Sequence, residues 1–320
     1  MRVISKLEQL RMMTTVVADT GAIEEIKIFK PQDATTNPSL LLKASLMEEY
    51  RYIFEKAIDK NKDMDINNAL NAIVLDLSVF FGVEILKEVP GKVSTEVDAR
   101  LSFNTKATIN YAKDLIARYE EQGVNKERVL IKIASTWEGI QAASELEKLG
   151  ISCNLTLLFS LVQAVASAEA GVTLISPFVG RITDWYMKRD NLMDYPCVTL
   201  DPGVQSVKDI YCYFKQFNFN TIVMGASFRH VKQVEALSGC DALTIAPSLL
   251  NQLESDSNTL IQSLNQVNLG QQVSKIDASE QNFRWLMNED AMATEKLAEG
   301  IRQFAIDTNK LEKIILNRLK

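Results

Sequence analysis

Apolar residues along the chain follow two rhythms. Short runs rich in β-branched residues occupy positions 14–19, 33–36, 92–97, 129–134, 151–156, 172–176, 221–225 and 242–245. Between most of them lie stretches with apolar residues at three-to-four spacing, such as Ile140, Ala143, Leu146 and Leu149 within 137–149, and the segment 159–170. The first rhythm predicts buried strands and the second predicts amphipathic helices. Strands alternating with helices predict a parallel sheet, and eight such units predict an α/β fold of the closed (β/α)8 TIM barrel type.

Residues 72–86 admit two readings, a strand followed by a helix or one long buried helix. Ile73, Leu77, Phe80, Phe81 and Ile85 fit a single helical stripe, and a ninth strand would spoil the barrel, so the helix is preferred. The window 151–168 is eighteen residues without a charge. Its Ser152, Asn154, Thr156, Ser160, Gln163 and Ser167 would be costly in lipid, which predicts a buried strand running into a buried helix. The tail 291–320 carries Leu297, Ile301, Phe304, Leu311 and Ile315 on one face, as a helix lying across the barrel or at a subunit contact would. With no repeat or low-complexity linker, residues 1–320 read as one barrel domain with additional terminal helices.

Composition removes several function classes. A length of 320 allows two domains or one large barrel. Lys+Arg number 35 against 41 Asp+Glu, a net charge of −6, and no basic run exceeds two residues. That leaves no electrostatic footprint for nucleic acid or an anionic membrane. One histidine, and cysteines at 153, 197, 212 and 240, give neither a His-rich site nor a CxxC knuckle, so no metal is expected and the thiols read as reduced. Residues 1–13 lack the apolar core of a signal peptide, so a cytoplasmic protein is expected. Glycines never stand closer than nine residues apart, which excludes both the GxGxxG fingerprint and the GxxxxGK loop.

Barrel enzymes work at the C-terminal rim of their strands, so the polar groups that end each strand are the candidates. Seven of the eight ends carry one: Asp19, Thr36 with Asn37, Glu96, Lys132, Asn154 with Thr156, Ser176, and Ser227 with Arg229 just beyond the seventh. Lys132 lies within the apolar run VLIKIA, where burial disfavours its charged form and favours a nucleophilic amine able to form a Schiff base. An ordinary lysine paired with an acid such as Glu96 fits the same pattern. Glu96 is accordingly either a proton relay or a counter-ion, and Asp19 either a catalyst or an Asx-turn before Gly21. Asn154 and Thr156 alternate along their strand as an interior polar pair would, whether structural or functional. Arg181 and Arg229 follow strands six and seven, where barrels often bind phosphate, and with Ser227 they suit a phosphate monoester as well as surface ion pairs. His230 beside them reads as a loop residue.

Six ordered blocks carry a family resemblance: DATTNPSL at 33–40, VSTEVDAR at 93–100, IKIASTWEGI at 131–140, CNLTLLF at 153–159, ISPFVGR at 175–181 and VMGASFR at 223–229. Together they resemble transaldolases of the long branch, over nearly the whole chain. The resemblance implies a class I aldolase-like barrel of the non-oxidative pentose phosphate pathway, without metal or organic cofactor. It implies transfer of a dihydroxyacetone unit from sedoheptulose 7-phosphate to glyceraldehyde 3-phosphate, giving erythrose 4-phosphate and fructose 6-phosphate. Lys132 would form the Schiff base, Glu96 would act as acid and base through a water near Thr156, and Asp19 would move the proton of the hydroxyl beside the breaking bond. Asn37, Asn154 and Ser176 would hold the dihydroxyacetone hydroxyls, and Arg181, Ser227 and Arg229 the phosphate. The rival is fructose-6-phosphate aldolase, a shorter branch that typically has Gln at the place of Glu96 and Tyr at that of Phe178. A binding protein that has lost catalysis is a third reading, against which every assigned residue is present. Asn104, Ala22 and His230 depart from the usual pattern at positions without an assigned role. A homodimer is expected from the resemblance.

Overall fold

The structure is a computed structural model that describes residues 4–265 and 273–319. The start of the N-terminal segment and Lys320 of the expected tail helix lie outside the described residues. Eight strands, β1 (Thr15–Asp19), β2 (Asp33–Thr35), β3 (Val93–Glu96), β4 (Val129–Ala134), β5 (Cys153–Leu158), β6 (Leu174–Pro177), β7 (Ile222–Gly225) and β8 (Ala242–Ile245), form a closed barrel in sequence order. All neighbours run parallel, and β8 pairs with β1. Helices separate the strands, as the alternation of apolar rhythms predicts. Their starts are written locally: Asn37 caps Pro38–Ser45, Thr136 caps Trp137–Lys148, and Ser160 with Gln163 forms a capping box for Leu161–Glu169.

The ambiguous 72–86 segment is part of one helix, Ile66–Glu88, packed on β3 and its flanking helices. It is long and apolar enough to cross a membrane, yet 72% of its most apolar window is buried inside the protein, which makes it a core helix. The C-terminal helix Ala291–Leu319 lies across the barrel, touching β5, the Pro38–Ser45 helix and the Gly180–Asp190 helix. Polar contacts dock it at points along its length: Trp185 Nε1 donates to Glu295 (2.7 Å), Ser39 Oγ donates to Asp307 (2.6 Å), and Arg100 pairs with Glu312 (2.6 Å).

A small apolar cluster, Val17, Leu130, Leu174, Met224 and Ala242, stands apart from the main core. Because side chains on a strand alternate, the residue two positions further on points the same way. Those residues are Asp19, Lys132, Ser176, Ala226 and Thr244, and all five line one cavity. The barrel interior thus changes from an apolar plug to a mostly polar layer within one pleat, and that layer is the floor of the candidate site.

Candidate active site

The cavity above that floor has a volume of about 70 Å³ and is also lined by Thr35, Asn37, Phe178, Arg181, Ser227 and, from the C-terminal helix, Phe304. Strand register brings the charged groups together: Glu96 is paired with Lys132, and Lys132 with Asn154. Lys132 Nζ donates to the carbonyl of Thr36 (3.2 Å) and stands 3.4 Å from Glu96 Oε2. Both side chains are nearly inaccessible, 6% and 4% exposed, so water screens their attraction very little.

Burial pushes the Glu96 carboxyl up to about 7 although the Lys132 charge opposes the shift. Glu96 Oε2 and Thr156 Oγ1 are buried and have no hydrogen-bond partner. Glu96 and Asn37 also border a second cavity, of about 30 Å³, on the side of the Ile66–Glu88 helix. Burial likewise raises the Asp19 carboxyl, against the pull of Lys132, a hydrogen bond from Thr35 and the charge of Arg181. Thr35 Oγ1 reaches Asp19 Oδ1 at 3.2 Å and Thr244 Oγ1 at 3.0 Å. The turn after Asp19 is held instead by Thr20, whose hydroxyl accepts from the Ala22 N–H, so the aspartate faces the barrel interior.

A hydrogen-bonded chain crosses β3, β5 and β6. Asn154 Nδ2 donates to Ser94 Oγ (3.1 Å), and Ser176 Oγ donates to Asn154 Oδ1 (2.6 Å). Thr156 sits where β5 carries one extra residue relative to β6, and the bulge is made by Leu157 in the left-handed region at φ +50°. Asn37 spends its oxygen on the Leu40 N–H (2.9 Å) as a helix cap. Its amide NH2 is thereby left as the group available to the cavity that Asn37 borders.

At the rim, Gly180 N donates to the Ser227 carbonyl (2.7 Å). A Cβ on Gly180 would lie 2.4 Å from that oxygen and 2.8 Å from Arg229 Cγ, so only glycine allows the two late loops to meet. Ser227 itself takes φ +63°. Arg229 is held by Asp184 through Nε (3.1 Å) and Nη2 (2.7 Å), and its Nη1 reaches Ser227 Oγ at 3.3 Å. Its backbone N–H donates to Gln233 Oε1 (2.8 Å), and Gln233 is fixed in turn by Asp201 (2.7 Å). Arg181 lies against the rings of Phe178 and Phe304, and burial lowers its pKa. Phe178 packs edge-on against Phe159, with ring centres 5.4 Å apart.

Of the eleven site residues expected from sequence, seven line the main cavity and three more contact a residue that does. Asp19, Asn37, Lys132, Ser176, Phe178, Arg181 and Ser227 form the lining, with Glu96 against Lys132, Asn154 against Ser176 and Arg229 against Ser227. The eleventh, Thr156, lies two residues beyond Asn154 on β5. His230 precedes the short helix Val231–Glu235 and makes no side-chain capping bond to it. Four contributors were not read from the sequence. Thr35 and Thr244 sit one residue before the end of the run assigned to their strands, Phe304 appeared only as part of an apolar stripe, and Asp184 had no signal beyond its charge. Among the described residues, no group of three or more His, Cys, Asp or Glu side chains converges as metal ligands would.

Comparison with known proteins bears on this geometry. The family profile described as Transaldolase/Fructose-6-phosphate aldolase matches residues 16–315. The chain is 55% identical to a Drosophila melanogaster protein named probable transaldolase, over 99% of this chain and 97% of that one. It is 57% identical to a transaldolase of Marinobacter nauticus over 96% of each chain, and 55% identical to one of Cellvibrio japonicus over 98% of this chain and 99% of that one.

Proposed function

The chain belongs to the transaldolase/fructose-6-phosphate aldolase family, and from that premise we propose which of its residues carry each step of the transaldolase reaction. The enzyme is a transferase of the pentose phosphate pathway that moves a dihydroxyacetone unit from sedoheptulose 7-phosphate to glyceraldehyde 3-phosphate, releasing erythrose 4-phosphate and fructose 6-phosphate.

Lys132 Nζ attacks the donor ketone carbon, and loss of water from the carbinolamine gives a protonated imine. The imine draws electrons from the neighbouring carbon–carbon bond, as a neutral ketone does not. Glu96, with a carboxyl near pH 7 in its protonation, gives a proton to the departing hydroxyl and takes it back on hydrolysis. A water between Glu96 Oε2 and Thr156 Oγ1, two buried oxygens that lack a hydrogen-bond partner although the Lys132 amine stands 3.4 Å from the first, fits this exchange. Asp19 takes the proton from the hydroxyl on the far carbon of the breaking bond, the aldose leaves, and Asp19 returns the proton to the acceptor's carbonyl oxygen when the new bond forms. Asn37, Asn154 and Ser176 hold the dihydroxyacetone hydroxyls through the enamine stage. Arg181, Ser227 and Arg229 take the phosphate, two guanidinium groups with a hydroxyl being suited to a dianion.

The observation that carries this reading is the Lys132–Glu96 approach of 3.4 Å on the floor of a cavity that Asp19 also lines. Glu96 and Phe178, in place of Gln and Tyr, favour transfer over release of free dihydroxyacetone. A coupled assay with sedoheptulose 7-phosphate and glyceraldehyde 3-phosphate tests it; rapid release of dihydroxyacetone from fructose 6-phosphate without acceptor would overturn it. A cytoplasmic homodimer belongs to the same reading and rests on the family resemblance. Light scattering that gives a single chain mass would remove the dimer.

A further inference from the structure

Arg181 is half-buried at the cavity rim, and among the described residues no carboxylate lies within ion-pairing distance of it. Its charge is met by two aromatic rings: the guanidinium carbon lies 5.0 Å from the centre of Phe178 and 5.8 Å from that of Phe304. Phe178 follows β6 and belongs to the barrel. Phe304 comes from the C-terminal helix, is 2% exposed, and lines the same cavity as Lys132 and Asp19.

The helix reaches this position because of Gly300, one turn before Phe304. A Cβ there would stand 2.6 Å from Leu157 Cδ2 and 3.2 Å from Arg181 Nη1. The approach is therefore built into the sequence at two points of the helix, with a missing side chain against the bulge of β5 and a ring against the guanidinium. The charges around Arg181 give this packing a purpose. Glu96 and Asp19 attract the guanidinium from the chemical end of the cavity, and Glu299 does so from the helix, while Arg229 repels it. A flexible arginine set among those charges has somewhere unproductive to go.

We propose that Phe304 is a positioning residue: with Phe178 it clamps the Arg181 guanidinium at the rim, so that the C-terminal helix sets the enzyme's preference for phosphorylated over unphosphorylated acceptors. The inference rests on the reading of Arg181 as a phosphate ligand and extends that site to an element outside the barrel. The ring faces supply the attraction of a cation to a π system without offering a hydrogen-bond acceptor, so all of the guanidinium's N–H groups stay available to the phosphate.

The test is acceptor kinetics at fixed sedoheptulose 7-phosphate, read as release of erythrose 4-phosphate, comparing glyceraldehyde 3-phosphate with glyceraldehyde. Phe304→Met keeps an apolar side chain of similar reach and removes the π face. It is expected to lower kcat/KM for the phosphorylated acceptor about three- to thirtyfold more than for glyceraldehyde, the range of a partly to fully desolvated cation–π contact, and to do so through KM. Phe304→Tyr retains the ring and is expected to restore most of the preference. Equal losses on both acceptors, or a Tyr variant as impaired as Met, would overturn the proposal. Phe304→Leu is read on the same scale should the Met variant not fold. Arg181→Ala separates the two levels: if it shows no selectivity, the phosphate reading itself falls, whereas a selective Arg181→Ala beside an unselective Phe304→Met removes only the role of Phe304.

Discussion

Glu96 and Lys132 are directly paired residues on β3 and β4, with carboxylate oxygen and amine 3.4 Å apart and both side chains nearly sealed from solvent. A second buried carboxylate, Asp19, feels the same Lys132 charge, a grouping that suits proton transfer better than an isolated ion pair. Treatment with borohydride in the presence of fructose 6-phosphate is therefore expected to fix a three-carbon fragment on Lys132. Mass spectrometry that finds the adduct on another lysine, or full activity in Lys132→Ala, would remove the assignment.

The position of Glu96 has a consequence for pH. The folded protein keeps its carboxyl proton between the ordinary value of 4.5 and about 7, where the unfolded chain has released it. Stability therefore falls as pH rises through that window. Glu96→Gln abolishes the titration, so the variant gains on the wild type between those limits, by on the order of 3 kcal/mol in total, and the difference levels off above. Asp19 titrates in both proteins, and only its repulsion of an ionised Glu96 is lost in the variant. Urea unfolding of the pair from pH 4.5 to 8.5 measures it, and a difference independent of pH would contradict the shifted carboxyl. The same substitution should cut kcat by about 10²- to 10⁴-fold, the usual worth of a general acid–base group.

Much of this site is visible in one dimension. Lys132 announces itself because a charge inside VLIKIA has no business in an apolar strand unless it is used or paired, and the strand periodicity places Asp19, Asn154 and Ser176 on inner faces. The bounds of β5 differ for a physical reason: the run 151–156 ends at Thr156, but the bulge at Leu157 lets the strand continue to Leu158. Nothing in the local sequence signals a leucine at positive φ. Phe304 and Gly300 were illegible in a different way, since their meaning arises only when the C-terminal helix crosses the rim. In sequence, Phe304 is one more apolar residue at helical spacing.

The Ser94–Asn154–Ser176 chain makes a prediction about coupled loss. Ser176→Ala leaves Asn154 Oδ1 buried without its donor, which costs about 1–3 kcal/mol of stability. It also frees the amide to rotate, so kcat/KM for the donor should fall for phosphorylated and unphosphorylated ketoses alike. A variant that keeps wild-type stability and activity would show the chain to be incidental.

At the other end of the cavity the effect should depend on phosphate. Loss of a charge-assisted hydrogen bond is worth about 1.5–3 kcal/mol, so Arg181→Ala or Arg229→Ala should raise KM for phosphorylated sugars about ten- to a hundredfold. Unphosphorylated analogues should respond far less. Equal changes on both kinds of substrate would take the phosphate away from these arginines.

Ser227 combines a left-handed backbone with a proposed phosphate contact, and two substitutions separate them. Its backbone is at φ +63°, where a side chain costs about 1–2 kcal/mol, offset in part by the about 0.5–1 kcal/mol that glycine loses through its greater freedom when unfolded. Ser227→Gly should therefore be as stable as the wild type or slightly more so, whereas Ser227→Ala retains the strain and gains nothing. Both remove the hydroxyl that meets Arg229 Nη1 at 3.3 Å, so both should raise KM for phosphorylated substrates by a similar factor. Thermal unfolding and acceptor kinetics on the pair distinguish the two contributions. If Ser227→Gly kept wild-type affinity, the hydroxyl would have no part in phosphate binding, and if it were markedly less stable than Ser227→Ala, the left-handed backbone would be unstrained.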